Sequence, residues 1–281
     1  MLVAAHSRTP AQVREHYLIE RSLADRLRST PRAERPAAYA AVYDELFRSI
    51  PHHPQILARA SGDFAAQRRR SVEYQWSFLK RFVGAADVFM EVGAGDCALS
   101  TRAAATARHV YAVDVSDEIT RGAGRPANLE VRLTAGAAIP LPNGAVQVAF
   151  SNQLMEHLHP DDALDQLCEI WRSLSSGGVY VCITPNRLSG PHDVSAHFDE
   201  QATGLHLREY SARELRALFY NAGFRTLQFF AGARGWYVRV PYVLIALAER
   251  TLEALPDRLR KTLARFAPAR ALLGLRVAAV K

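Results

Sequence analysis

Four groups of residues in this chain have types and spacings that could do chemistry. Gly93-Ala94-Gly95 follows an apolar run, Val88 to Val92, that carries a carboxylate, Glu91, near its end. Glycines one residue apart give the backbone angles that a Cβ forbids and let a ligand come close to it. The run Ala98 to Ala107 that follows reads as a helix, so free N–H groups and a positive dipole end point at the same place. Asp114 ends a second apolar run, 19 residues after Gly95, where a carboxylate can accept both hydroxyls of a ribose. Asn152 and Gln153 end a third run, and His157 follows as the best placed proton acceptor, although Glu156-His157-Leu158 also reads as a helix start that a histidine could simply cap or pack. A fourth group, His192, His197 and His206 with Asp193, Asp199 and Glu200, lies in the stretch 185–209.

The glycine turn alone does not choose a ligand. Gly93-Ala94-Gly95-Asp96-Cys97-Ala98 satisfies the dinucleotide fingerprint with alanine in the third place. Nicotinamide cofactors and S-adenosylmethionine (SAM) both contain the ribose that Asp114 would hold. Glu91 separates them in this reading, since its charge would repel a pyrophosphate but not a cationic amino-acid end.

The elements that must position these residues follow from periodicity. Residues 1–84 read as a helical extension, with apolar stripes Val13, Tyr17, Leu18, Leu23, Leu27 and Tyr39, Val42, Tyr43, Leu46, Phe47. Pro51-His52-His53-Pro54 reads as a turn, and a third helix, Phe64 to Val83, carries Arg68-Arg69-Arg70 on what should be a solvated face. From residue 85 short apolar strands alternate with helices: Val88–Val92, His109–Asp114, Glu130–Leu133, Val146–Phe150 and Val179–Thr184. That rhythm argues a parallel sheet covered by helices on both faces. Asp161–Ser175 reads as a helix stopped by Gly177-Gly178, and Ser211–Asn221 as a helix opened by a Ser211/Glu214 capping box. Phe224–Ala231 and Leu273–Val280 read as two closing strands, with one helix, Val243–Phe266, between them.

Composition narrows the classes. About half the 281 residues are apolar, enough for a full core. Cys97, Cys168 and Cys182 are scattered and match neither a disulfide framework nor metal-ligand spacing, which points to a reducing compartment, the cytoplasm. The reading assigns no metal, because the histidines and acids of 185–209 follow no ligand pattern. Met1 to His6 does not read as a secretory signal, and the longest apolar run, Val240 to Ala248, is too short to span a bilayer. Residues 236–281 hold nine basic and three acidic side chains, six of the chain's seven excess positive charges. The segment reads as an amphipathic helix packed on the sheet, or as a basic face for an anionic or lipid-linked substrate or a membrane surface. No aromatic-interleaved basic stripe suggests nucleic acid.

In combination these stretches resemble the class I SAM-dependent methyltransferases of the type-11 methyltransferase domain branch. The matching residues are Glu91-Val92-Gly93-Ala94-Gly95-Asp96, Val113-Asp114-Val115-Ser116, Ile139-Pro140-Leu141-Pro142, Ser151 to Leu158, Thr184-Pro185-Asn186, and His206-Leu207-Arg208-Glu209-Tyr210-Ser211 through Ala222-Gly223-Phe224. The resemblance covers roughly 85–231. It implies a Rossmann-like, doubly wound α/β sheet of seven strands with the last antiparallel, following the helical extension 1–84, with 185–209 as a substrate lid and 236–270 as a basic helical insert. It implies SAM as cofactor, S-adenosylhomocysteine as product, and a cofactor site at Glu91, Gly93, Ala94, Gly95, Asp114, Val115, Gly136, Ala137, Asn152 and Gln153.

His157 and His206 are the candidate catalytic residues. The chain departs from the family's pattern at Ala135-Gly136-Ala137, which lacks an acid for the adenine amino group, and at Gln147, which stands where an Asp is usual. The activity implied is methyl transfer to a small-molecule or carbohydrate- or lipid-linked acceptor, at oxygen. A nicotinamide-dependent oxidoreductase and a non-catalytic SAM-binding module are the alternatives. The absence of an Asp-Pro-Pro-Tyr type of motif after the fourth strand speaks against nucleic-acid methylation.

Overall fold

The computed structural model describes residues 8–115, 125–233 and 235–281. Met1–His6 and Ser116, on which two of the expectations above fall, lie outside them. The chain opens with four helices, α1 (Pro10–Ser29), α2 (Arg35–Ser49), α3 (Pro54–Ala60) and α4 (Phe64–Leu79). The alternating part follows: β1 (Val88–Val92), α5 (Ala98–Ala104), β2 (His109–Asp114), β3 (Leu129–Leu133), β4 (Val146–Asn152), α6 (Pro160–Ser173), β5 (Leu174–Thr184), α7 (Ala212–Asn221) and β6 (Thr226–Ala233). It closes with β7 (Trp236–Val240), α8 (Tyr242–Glu253), α9 (Asp257–Arg265), α10 (Ala267–Leu273) and β8 (Leu275–Val280).

The strands form one sheet in the order β3-β2-β1-β4-β5-β8-β6-β7. β1 to β5 run parallel, and β8 runs antiparallel between β5 and β6. The sheet thus has eight strands where seven were expected. The extra one, β7, pairs antiparallel with β6 at the edge. Gly232 makes that hairpin possible: its φ is +139°, and a Cβ there would lie 1.9 Å from the Trp236 carbonyl oxygen.

Three further expectations are corrected. α6 ends at Ser173, and Gly177-Gly178 lies within β5 rather than stopping a helix. A Cβ on Gly178 would press to 2.9 Å from the Ser175 carbonyl oxygen and 3.1 Å from that of Gln147 in β4, so only glycine passes there. The single helix expected over Val243–Phe266 is broken after Glu253, because Pro256 removes a backbone donor and caps a new helix, α9. On α1, Leu18 is 53% exposed, and the buried stripe instead takes in His16 and Glu20 beside Tyr17, Leu23 and Leu27.

The sheet buries both faces, as continuous apolar strands require. One face carries Val88, Met90, Val92, Val113, Ala149, Tyr180 and Cys182 together with Leu23 and Leu27 of α1, Tyr39, Val42 and Leu46 of α2, and Leu167 and Ile170 of α6. The other carries Phe89, Val110, Ala112, Val148 and Phe150 against Val72, Trp76 and Leu79 of α4 and Leu99 of α5. The helical extension therefore shares the sheet's core on both sides.

α2 is fastened to α6 by a pair taken out of water. Arg35 Nε and Nη2 each donate to an Asp162 carboxylate oxygen at 2.8 Å, and both residues are buried. The Tyr39 hydroxyl donates to Asp162 Oδ2 at 2.8 Å and accepts from the His159 backbone N–H at 2.8 Å. Removing one partner of such a pair leaves a buried charge uncompensated, at a cost of about 3–5 kcal/mol. Arg35→Ala and Asp162→Ala should each lower the unfolding free energy by that amount in urea titrations. A loss under about 1 kcal/mol, the range of exposed pairs, would show that α2 is held by its apolar face alone.

Candidate functional site

At the carboxyl end of the parallel strands lies a cavity of about 200 Å³. Its floor is the sheet edge: Val92 and Gly93 after β1, Asp114 and Val115 after β2, Thr134 and Gly136 after β3, and Leu154, His157 and Leu158 after β4. Its roof is α2, through Tyr39, Ala40 and Tyr43, with Gln166 of α6 at one side.

The glycine turn takes the shape its residues allow. Gly93 and Gly95 have φ of +74° and +53°. A Cβ on Gly93 would press to 3.2 Å from the Leu154 side chain, whereas nothing lies within 4 Å of the Cβ position of Gly95. The backbone at Gly95 is therefore open to a ligand. Gly93 N–H and Ala94 N–H donate to the Val113 carbonyl oxygen at 2.9 and 3.3 Å, which ties the turn to β2. Asp114 Oδ2 accepts the Gly95 N–H at 2.8 Å, so one of its oxygens holds the turn. Val115 stands beside it at the cavity wall.

Glu91 points to the opposite face from Val92, as the two-residue period of a strand demands. It is buried, and its Oε2 accepts from the Ser100 hydroxyl at 2.5 Å in the first turn of α5. Burial pushes its carboxyl up to about 8, with the Ser100 bond and Arg68 working against the shift. Below that pH the group is largely neutral, so the charge that was to repel a pyrophosphate is missing at this site. The observed partner of Glu91 is the start of α5.

Other site residues divide. Gly136 lines the cavity with φ +68°, and a Cβ there would lie 3.4 Å from Pro36 Cα. The start of α2 thus fills the space beside the loop where an acid was missed, and the neighbouring Ala137 is half-buried. Asn152 and the exposed Gln153 stand at the end of β4 outside the cavity lining, Gln153 with a left-handed φ of +55°. Gln147 lies at the other end of the strands, where its Oε1 accepts the Val88 N–H at 2.8 Å, so its departure from the family's pattern does not touch the cavity. Arg68 is not simply solvated: its guanidinium pairs with Asp96 in the glycine turn, Nε to Oδ2 at 2.7 Å.

His157 and His206 come together. Their ring centroids are 4.8 Å apart, edge to face. His157 Nδ1 lies 3.0 Å from the Leu205 carbonyl oxygen. A carbonyl only accepts, so Nδ1 carries the proton and Nε2 keeps a lone pair. Burial pushes His157 down to about 3, and the neighbouring His206 adds to that, so the ring is neutral across the physiological range. His206 is drawn the other way: burial opposes its charged form, but its hydrogen bond to Glu209 and the charges of Glu156, Glu209 and Asp193 outweigh burial. Glu209 receives His206 Nδ1 at 2.8 Å and the His192 backbone N–H at 2.7 Å. Burial would raise it, yet its bonds to His192 and His206 bring it down to about 2.

The stretch 185–209 is packed rather than loose. The Tyr17 hydroxyl donates to Asp199 at 2.8 Å, Arg28 donates to the carbonyl oxygens of Thr203 and Gly204 at 3.1 Å, and Glu20 accepts the Leu205 N–H at 2.9 Å. Periodicity had flagged Tyr39 and Tyr43 only as apolar stripe residues, and Glu209 only as part of a motif. No local signal could show that α2 roofs the cavity, since that depends on contacts more than a hundred residues apart.

A pH dependence follows from Glu91. Its carboxyl is raised from the ordinary 4.5 to about 8 in the fold, so the native state holds the proton longer than the unfolded one. Stability contributed by that proton is complete below about 4.5 and falls as pH rises to about 8. Glu91→Gln keeps the Ser100 bond and removes the titration. In thermal unfolding of the ligand-free protein, the variant should gain on the parent between pH 5 and pH 8.5, by a few kcal/mol. A constant difference across that range would place the Glu91 proton elsewhere.

Similar proteins are found by sequence and by fold. A family described as "Methyltransferase domain" matches residues 90–182. A Mycolicibacterium smegmatis protein named a probable S-adenosylmethionine-dependent methyltransferase is 34% identical over 170 residues, which cover 59% of this chain and 63% of that one. A Mycobacterium tuberculosis protein of the same description is 33% identical over 158 residues, 56% of this chain and 54% of that one. The chain thus spans less than two thirds of the length of the curated relatives it matches. A crystal structure of a SAM-dependent methyltransferase from Thermotoga maritima superposes with a TM-score of 0.54 at 15% identity, covering 81% of this chain and 98% of the other. Residues 90–182 match the family described as a methyltransferase domain, and the chain shares the fold of the Thermotoga maritima SAM-dependent methyltransferase.

Proposed function

We propose that the chain moves a methyl group from SAM to the oxygen of a small-molecule or carbohydrate- or lipid-linked acceptor. One observation carries this reading: a single cavity is lined by Gly93 of the glycine turn, by Asp114 and Val115, and by His157. The residues suit the cofactor. Asp114 would hold the ribose, Val115 would pack on the adenine, and the backbone of Gly93 to Gly95 would pass the methionine end. SAM supplies a methyl group made electrophilic by its sulfonium. The chain's own work is then alignment and exclusion of water. Tyr39 and Tyr43 close the cavity from above, and His157 Nε2 can take a hydroxyl proton, its ring steered by the Leu205 carbonyl.

Asp114→Ala should weaken S-adenosylhomocysteine binding about 10-fold or more, since a charge-assisted hydrogen bond contributes ~1.5–3 kcal/mol. Calorimetric titration measures it. Unchanged affinity would put the cofactor elsewhere, a thermal shift by NADH in its place would favour an oxidoreductase, and cofactor binding without turnover across a broad acceptor screen would favour a binding module.

The C-terminal surface supports a lipid-linked acceptor. Trp236, Val243, Leu247 and Phe266 are 85%, 65%, 61% and 65% exposed, among the exposed basic residues Arg239, Arg250, Arg258 and Arg270. No helix among the described residues is long and apolar enough to cross a membrane. A contact with an anionic bilayer surface suits both the exposed apolar and the exposed basic residues of this segment. The protein should sediment with phosphatidylserine vesicles more than with neutral ones, and Leu247→Glu should reduce that at least threefold. Equal recovery on both vesicle types would remove the membrane reading.

A further inference from the structure

We propose that Glu156, His157 and His206 form a binding site for a divalent transition-metal ion, opening on the cavity where the acceptor oxygen would lie. One ligand atom from each of the three lies within 4.8 Å of the other two. Two imidazoles and a carboxylate suit zinc, iron or manganese, whereas magnesium and calcium prefer oxygen alone.

Each ligand is held from behind. His157 Nδ1 is engaged by the Leu205 carbonyl oxygen at 3.0 Å, His206 Nδ1 by Glu209 Oε1 at 2.8 Å, and Glu156 Oε2 by the Thr184 hydroxyl at 2.8 Å. That leaves His157 Nε2, His206 Nε2 and Glu156 Oε1 for the ion. Backing of imidazole ligands by a carboxylate and a carbonyl is the usual support of a metal site. Glu209 is itself secured by His192, through the backbone N–H at 2.7 Å and Nδ1 at 3.1 Å.

The independent sign is Glu156 Oε1. Glu156 is completely buried, and this oxygen has no hydrogen-bond partner among the described residues. A buried carboxylate oxygen without a donor is costly, and a cation removes that cost. Bonds of 2.0–2.2 Å to one tetrahedral ion would draw the ligand atoms to roughly 3.4 Å from each other.

A second cluster, His16, Glu20 and His53, is also buried and close. There the Arg8 guanidinium donates to His16 Nδ1 at 2.8 Å, and His53 Nδ1 accepts the Gln55 N–H at 3.2 Å. A guanidinium beside the cluster repels a dication, so the ion is assigned to the other three.

The metal site rests on the SAM reading of the cavity and gives the His157 lone pair to the ion, which would then coordinate the acceptor hydroxyl. The full chain is stripped with a chelator and titrated with zinc chloride by calorimetry, with S-adenosylhomocysteine titrated in parallel. One zinc per chain is expected, along with cobalt d–d absorption on cobalt loading. Glu156→Gln and His206→Ala should each weaken zinc at least 10-fold, and the positioning variant Glu209→Gln 10–100-fold. His16→Ala should leave the stoichiometry at one. Failure to bind zinc while S-adenosylhomocysteine still binds overturns the metal site alone and leaves His157 as a base. Loss of zinc in His16→Ala but not in His206→Ala overturns it as well. Failure of both ligands to bind the parent chain would sink the cavity reading itself.

Discussion

Arg35 and Asp162 face each other out of water, and the cavity depends on their doing so. The sheet edge alone is an open shelf of turns. It becomes an enclosed space once α2 lies across it, and α2 is set there by the bidentate pair and by Tyr39 on the same carboxylate. The apolar face of α2 gives affinity for the sheet but little direction, because hydrophobic burial is non-directional. The fixed fork of a guanidinium on a carboxylate supplies angle and register. Tyr39 both fastens the roof and lines the cavity, so the tie and the site share a residue.

Buried carboxylates are met by donors elsewhere in the fold as well. Glu20 of α1 reaches the Leu205 backbone, Glu209 gathers His192 and His206, Glu156 takes Thr184, and Glu91 takes Ser100. A buried carboxylate is tolerable only when donors surround it. Glu20 and Glu156 take donors 185 and 28 residues away in sequence, and Glu91 joins β1 to α5. The consequence for function is rigidity: the His157 ring is steered by a carbonyl on a stretch that α1 itself holds down. A loosened α1 would therefore be felt at His157 without touching it.

The two histidines show how environment divides one chemistry into two. His157, turned to the cavity and backed by a carbonyl, stays neutral. His206, one ring away and backed by a carboxylate, is drawn toward its charged form. The two rings meet edge to face, and what stands behind each, a carbonyl or a carboxylate, sets its charge.

Much of the fold was legible because local physics carried it. Continuous apolar runs marked β1, β2, β4 and the end of β5, since parallel strands bury both faces. The Ser211/Glu214 box marked α7 because its two hydrogen bonds are local. The glycine turn and Asp114 were legible for the same reason, as one turn and the next strand's end. What the sequence could not determine lay in long-range contact. That Glu91 meets Ser100 at the start of α5 was not legible either, because strand alternation and the placing of α5 decide that contact. Leu18 was placed in the apolar stripe of α1 and is exposed, while His16 and Glu20 are turned inward to meet partners from other segments. The roof of α2, and the meeting of Glu156, His157 and His206 across some fifty residues, are decisions of tertiary packing. Periodicity reports which residues leave water, and only the folded chain decides which of them meet.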